Sequence, residues 1–176
     1  MKFATLTAGD RILDLCCGTG TLTAVIARQR FTRRLIGVDI SESIIEIARI
    51  KAHHIPATFL RASADNLPFN SSQFDNCFIS FGLHHMSKYE RQKTLAEIHR
   101  TLAPKGAIYI IDYNLPKKGL RRLAAITFTK LDKSKEAYKM LKNGNLIREI
   151  KQAGFEIEKR DLTCQGIIQL LKLVKK

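Results

Sequence analysis

Cysteine is scarce in this chain and poorly placed for cross-linking. Four of the 176 residues are cysteine: Cys16, Cys17, Cys77 and Cys164. None forms a C-x-x-C pair, and no histidine or cysteine stands at zinc-ligand spacing from another. A disulfide-held secreted fold and a zinc module are therefore excluded. The expectation is free thiols in a reducing cytoplasm and no metal. Long apolar runs are also missing: none approaches the ~18 residues that a membrane span needs. The opening MKFATLTAGDR has no apolar stretch of the leader type, so no signal peptide is expected. There is no internal repeat, low-complexity tract or Pro/Gly-rich linker. At ~100–200 residues per domain, one domain over 1–176 follows. Acidic groups are few, 16 Asp and Glu against 30 Lys and Arg, for a net charge of +14. The excess is concentrated in the second half. Residues 1–88 carry a balance of +3 and residues 89–176 of +11, with +8 between Pro116 and Lys151 alone. Such a field favours anionic partners; the alternative is a lysine-rich solvated surface.

What is present is an alternation of apolar patterns. Arg11–Cys16, Leu35–Asp39, Pro56–Ala62, Asp75–Phe81 and Ala107–Tyr113 are short apolar runs that predict strands. Between them, Thr21–Arg30, the stretch after the Ser41-Glu42-Ser43 cap and Tyr89–Leu102 carry apolar residues at helical spacing. The Tyr89–Leu102 helix is expected to stop at Ala103-Pro104-Lys105-Gly106. His53, His54 and His99 are placed on helices in structural roles. The basic segment up to Lys151 is expected to be helical, with Gly154 ending it. Phe155–Asp161 and Thr163–Val174 follow as strands. Their junction is too short for a parallel crossover, so the pair must be antiparallel. Alternation of this kind predicts an α/β, Rossmann-like, doubly wound sheet of seven strands. It is mostly parallel, with helices on both faces and an antiparallel pair at the carboxyl terminus. The cofactor half spans about 9–114, a basic acceptor-side segment about 115–153 and the closing pair about 154–174.

Ligands of such sheets bind at the carboxyl ends of the strands. Strand one ends in Asp14-Leu15-Cys16-Cys17-Gly18-Thr19-Gly20. Gly18 and Gly20 permit a tight turn and a close approach of ligand to main chain. Asp39, at the end of strand two, can accept both hydroxyls of a ribose. NAD and S-adenosylmethionine both fit a loop of this kind. The dinucleotide fingerprint needs a small third residue where Thr23 stands, and its pyrophosphate would be repelled by Asp14. A carboxylate at 14 instead attracts a cationic methionine amine or sulfonium. Both departures favour S-adenosylmethionine.

The segments GDRILDLCCGTGTLT, LIGVDISESIIEIAR, ADNLPFNSSQFD, ISFGLHHM and EIHRTLAPKGAIYIID occur in this order between Gly9 and Asp112. The stretch from Gly9 to Asn114 resembles the class I S-adenosylmethionine-dependent methyltransferases. Within them it is most similar to the branch of the ubiquinone/menaquinone-biosynthesis C-methyltransferases. The resemblance implies S-adenosyl-L-methionine as cofactor and S-adenosyl-L-homocysteine as product. It implies that Asp14, Cys16, Gly18, Thr19 and Gly20 hold the methionine part, Asp39 the ribose and Ile40 the adenine. Ser63, Ala64 and Asp65 would meet the adenine edge, while Ser80 and Phe81 lie beside the methionine and methyl group. Three positions depart from the family pattern. Cys16 replaces a usual glycine, Ser63 stands where relatives place Asp or Asn, and His84-His85 stands where the quinone enzymes commonly carry Arg-Asn. His84 and His85 are the candidates for a base or a substrate-holding group. Only ten residues precede strand one, so a cover over the site is expected from elsewhere.

The expected activity is methyl transfer to a small-molecule acceptor, possibly a quinone, a lipid-like or an anionic one. The alternatives are an RNA-directed enzyme and a non-catalytic cofactor-binding module. Nucleic acid is the weaker partner. No N-P-P-Y motif follows strand four, and only Phe128 and Tyr138 interleave with the basic patch. Leu120, Leu123, Ala124, Thr127 and Leu131, flanked by Lys117, Lys118, Arg121 and Arg122, read as a basic amphipathic helix. Such a helix could rest on an anionic membrane surface, giving a cytoplasmic protein with peripheral membrane contact.

Overall fold

The computed structural model describes residues 3–29, 32–116, 119, 122–123, 126–127, 135–142 and 145–176. Strands β1 (Asp10–Leu15), β2 (Thr32–Asp39), β3 (Thr58–Arg61), β4 (Phe74–Ser80), β5 (Leu102–Tyr113), β6 (Phe155–Thr163) and β7 (Ile168–Lys175) form one sheet in the order β3-β2-β1-β4-β5-β7-β6. The first five are parallel; β7 runs antiparallel to both β5 and β6. This is the expected α/β doubly wound architecture with its antiparallel closing pair.

Burial explains why the strands read as continuous apolar runs. Ile12 of β1 packs with Leu35, Phe78 and Tyr109 on one face, while Leu13 and Leu15 join the main core on the other. A strand covered on both faces has no polar side to alternate with. Helix α1 (Thr21–Ala27) adds Ile26 and Ala27 to the first face. Helix α2 (Glu42–Lys51) packs Ile45 and Ala48 against Phe59 of β3. Helix α3 (Lys88–Thr101) brings Leu95 and Ile98 to the opposite face, as do α4 (Lys135–Leu141) through Met140 and α5 (Asn145–Gln152) through Leu146 and Ile150.

Several boundaries differ from expectation. Strand β5 begins at Leu102, five residues early: Leu102 pairs with Phe74, the register then slips, and Ala107 pairs with Asn76. The Ala103–Gly106 segment is thus a bulge, not only a helix stop. Gly106 permits it, since a Cβ there would stand 2.9 Å from the Asp75 carbonyl oxygen. Helix α3 starts at Lys88 because Ser87 and Glu90 form a reciprocal capping box. His53 and His54 lie in the turn after α2; His99 is on α3. Strand β6 runs on to Thr163, and β7 starts only at Ile168. The two are joined by a 3-10 turn, Cys164–Gly166, whose three residues all have positive φ. In the basic segment the described helices are α4 and α5, with apolar faces on the core. Lys117, Lys118, Leu120, Arg121, Ala124, Phe128 and Leu131 lie outside the described residues.

One buried ion pair ties this carboxyl-terminal half to the cofactor half. Arg91 on α3 donates to both oxygens of Glu149 on α5, at 2.7 and 3.0 Å, and its third contact is to the Met86 carbonyl. Both side chains are almost fully buried. A charge left unpaired there would meet no water. Arg91→Met alone should therefore lower stability by roughly 3–5 kcal/mol, and Arg91→Met with Glu149→Leu should recover most of that loss. Urea unfolding of the two variants checks this; a single variant as stable as the parent would refute it.

Candidate functional site

A cavity of about 590 Å³ opens at the carboxyl ends of β1, β2 and β4. Its volume is within the ~300–1,000 Å³ usual for small-ligand sites. It lies where a doubly wound sheet has to open: the chain leaves β1 toward β2 on one side, and β4 lies on the other. Asp14, Cys16, Gly18, Thr19, Asp39, Ile40, Ser63, Ala64, Asp65, Ser80, Phe81 and His85 all line it. These are the residues expected from the sequence, less two, Gly20 and His84.

Gly20 does not line the cavity. It is the N-cap of α1 at φ 78°, and a Cβ there would stand 3.0 Å from the Phe59 ring. Its smallness serves helix–sheet packing behind the loop. Gly18 is different. It has φ 54°, and a Cβ there would meet nothing within 4 Å. Its backbone faces the cavity, open to a ligand. Cys16 has φ 57°, a conformation that glycine adopts without cost and other residues rarely do. This is the physical reason a glycine would suit that position. Its neighbour across the loop is Gly82, where a Cβ would fall 2.7 Å from the Cys16 Cβ. The turns after β1 and β4 therefore press together, and only glycine at 82 allows it.

Asp14 is buried at the base of the loop. Its Oδ2 accepts a 2.5 Å hydrogen bond from the Thr23 hydroxyl, whereas its Oδ1 is buried with no hydrogen-bond partner. Burial is the main cause that pushes its carboxyl up from 3.8 to about 7; the Thr23 hydrogen bond opposes this and the Asp39 charge adds to it. A buried carboxylate with one free oxygen on a cavity wall fits a cationic amine, as the methionine part of S-adenosylmethionine carries. Burial likewise pushes the Cys16 thiol up to about 12 and the Cys17 thiol up as well, with the Asp14 and Asp39 charges adding to both. Neither is a thiolate nucleophile at neutral pH.

Asp39 is engaged by the loop itself: Oδ2 accepts from the Gly18 amide at 3.0 Å and Oδ1 from the Ser41 amide at 3.1 Å. Each oxygen keeps a second lone pair for a ligand hydroxyl. Ser63 donates to Asp65 Oδ1 at 2.6 Å, and the two form one polar edge. Ile40 presents an apolar side chain, 66% exposed, at the cavity rim.

On the acceptor side the two histidines divide. His85 is exposed and lines the cavity; His84 is buried and bonded through Nδ1 to Asp112 at 2.8 Å. Met86 and Glu90 complete this wall and were not anticipated. The Ser87-x-x-Glu90 capping pattern was a readable signal for where Glu90 would sit. No local signal announces Met86 or the Asp112 partnership, because both depend on how β5 and α3 meet the turn after β4. Among the described residues no cluster of ligating side chains could hold a metal ion, and no helix is long and apolar enough to cross a membrane.

A family model described as a methyltransferase domain matches residues 12–106, more than half of the chain. A demethylmenaquinone methyltransferase of Clavibacter sepedonicus is 35% identical over 187 residues, covering 96% of this chain and 74% of that protein. One from Thermus thermophilus is 37% identical over 114 residues, covering 64% of this chain and 51% of that protein. Among solved structures, a Pyrococcus horikoshii protein superposes with a TM-score of 0.79 at 20% identity, covering 96% of this chain and 82% of that one. The last shares the fold.

Two expectations follow. Because its pKa is raised by folding, Asp14 is protonated in the fold where it is already ionised in the unfolded chain. The ligand-free protein should therefore lose stability as pH rises from about 4 to about 7. A cationic amine needs the ionised form, so cofactor affinity should tighten with pH up to about 7 and level off above. Asp14→Asn should flatten both dependences, measured by melting and by calorimetry; unchanged slopes would assign them to another group. Separately, Gly18→Ala should cost about 1–2 kcal/mol for a Cβ at φ 54° and weaken cofactor binding by about tenfold or more. Gly20→Ala should cost more, about 2–5 kcal/mol, because the same kind of strain at φ 78° adds to the crowding of Phe59. Equal effects of the two on stability would contradict the division of roles.

Proposed function

We propose that this chain, which belongs to the class I S-adenosylmethionine-dependent methyltransferases, transfers its methyl group to a hydroxylated aromatic small molecule of the quinol type. The observation that carries the reading is the acceptor-side wall. Phe81, His85 and Met86 stand together beside a cavity whose other end has the chemistry for the cofactor. An aromatic ring and an adaptable thioether favour a planar apolar acceptor. A histidine among them can take the proton of a hydroxyl. The two quinone-acting relatives, at 35% and 37% identity, support the same class of acceptor.

The cofactor, when bound, supplies a methyl group on a positively charged sulfur, which needs alignment more than activation. The residues of this chain provide that alignment. The unpartnered Asp14 oxygen would hold the ammonium, the Gly18 and Thr19 backbone the methionine chain, and Asp39 the ribose hydroxyls. Ile40 would pack against the adenine, and Asp65, oriented by Ser63, would meet its edge beside Ala64. Ser80 and Phe81 border the reacting end. His85 would receive the acceptor's hydroxyl proton; the electron-rich ring would then bond the methyl carbon as its bond to sulfur breaks, the demethylated cofactor leaving and the displaced ring proton passing to solvent. Holding both partners in near-attack geometry supplies much of the rate.

The +8 balance between Pro116 and Lys151 supports peripheral contact with an anionic membrane surface, where an apolar quinol would reside. An acceptor screen with methyl-labelled cofactor tests the reading, using quinol, lipid, small-acid and RNA pools. Label should enter the quinol pool. Label in RNA alone would overturn the acceptor class, and cofactor binding with no label in any pool would point to a binding module. Asp39→Ala should cost about 1–3 kcal/mol of cofactor affinity in calorimetry. An unchanged affinity would put the ribose elsewhere.

A further inference from the structure

We infer that Asp112 and His84 are positioning residues for His85, a buried support behind the acceptor-side wall; the inference rests on the methyl-transfer reading above. Asp112 is the penultimate residue of β5, and His84 lies in the 3-10 turn Leu83–His85 that follows β4. Both side chains are almost completely buried, and Asp112 Oδ1 accepts from His84 Nδ1 at 2.8 Å and from the Tyr113 amide at 2.7 Å. A carboxylate accepts and cannot donate, so His84 Nδ1 carries the proton. That bond fixes both the tautomer of His84 and the plane of its ring. The fixed ring lies 4.0 Å from the His85 ring, centroid to centroid, and 4.6 Å from that of Tyr113. His85 is the member of this group that faces the cavity. An imidazole acts on a substrate proton only from the right orientation. A rigid ring beside it helps to fix that orientation.

A second observation separates positioning from plain packing. Asp112 Oδ2 is buried with no hydrogen-bond partner. Its cross-strand neighbour on β7 is Gln169, whose Nε2 donates to the Tyr113 carbonyl and whose Oε1 is also buried without a partner. Two acceptor oxygens without donors therefore sit on adjacent residues of the sheet. The side chain at 112 is therefore held by what Oδ1 accepts, the His84 Nδ1–H and the Tyr113 amide. An asparagine at 112, kept in place through the same oxygen by the Tyr113 N–H, would retain the bond to His84; a leucine of similar size would lose it.

Asp112→Leu in the full chain is the test, because it keeps the volume and removes the acceptor; Asp112→Asn, which keeps Oδ1, is the control that should behave like the parent. Histidine-labelled NMR should show a single Nδ1–H tautomer for His84 and an ordered His85 ring in the parent. In the leucine variant it should show a mixed tautomer and a His85 ring mobile on the picosecond–nanosecond scale. With a quinol acceptor, kcat should fall about tenfold or more while acceptor KM and cofactor affinity stay within about twofold. His84→Gln, if it folds, should behave alike. A leucine variant with an unchanged His84 tautomer and an equally ordered His85 ring would overturn the inference, as would a normal kcat. If the parent methylates nothing in the quinol pool, the acceptor reading fails, and the NMR comparison still decides whether the pair positions His85.

Discussion

The crossing between β1 and β4 is the constraint on which the rest of the site depends. Chain order runs outward from β1 through β2 to β3, returns to β4 on the far side of β1, and continues outward to β5. The two turns at the carboxyl ends of β1 and β4 therefore meet in the middle of the sheet. There, Gly82 is pressed against Cys16 so closely that a methyl group on it would overlap the cysteine side chain. Every residue assigned to cofactor or acceptor lies within one turn of that contact or at the end of a neighbouring strand. The cavity is a consequence of topology, and the side chains decide what it can hold.

Three buried carboxylates are used in three ways around it. Glu149 is fully matched by the Arg91 fork and acts as a strut between α3 and α5. Asp14 is matched on one oxygen by Thr23 and has no partner for the other. Asp112 is matched on one oxygen by His84 and the Tyr113 amide and also keeps one free. Burying charge is costly unless the partner geometry is good. The fully paired case serves the fold, and the two half-paired cases lie at the two ends of the functional site. Met86 connects the first use to the others: its carbonyl is held by Arg91, and its side chain lines the cavity.

The carboxyl-terminal segment adds coverage without entering the parallel sheet. Helices α4 and α5 bury Ala137, Met140, Leu146 and Ile150, and α4 packs against the turn that carries the two histidines. A helix pair anchored by its apolar face leaves its basic residues outward. The lysine-rich composition of this segment and its core-packing role are therefore compatible. The β6–β7 pair closes the sheet beside β5 and places Gln169 next to Asp112.

By itself, the sequence determined the alternation of strands and helices, the single sheet, the antiparallel closing pair and the loop after β1 that borders the cavity. These follow from local periodicity and from residues close in the chain, such as Asp14 to Gly20, whose chemistry is legible without neighbours. It did not determine which of two adjacent histidines faces the cavity, because that depends on the sense of a 3-10 turn packed under Tyr113 and α4. Nor did it separate Gly18 from Gly20: both read as loop glycines, and only the approach of Phe59 from β3 makes one a packing residue. The bulge at Ala103–Gly106 was hidden for the same reason. A Pro-Lys-Gly run reads as a helix stop, while pairing across to Phe74 is a contact with residues about thirty positions away. Tertiary structure alone brought Asp112, His84 and Gln169 together from β5, the turn after β4 and β7, since buried polar partners are chosen by proximity in space and leave no periodic trace in the chain.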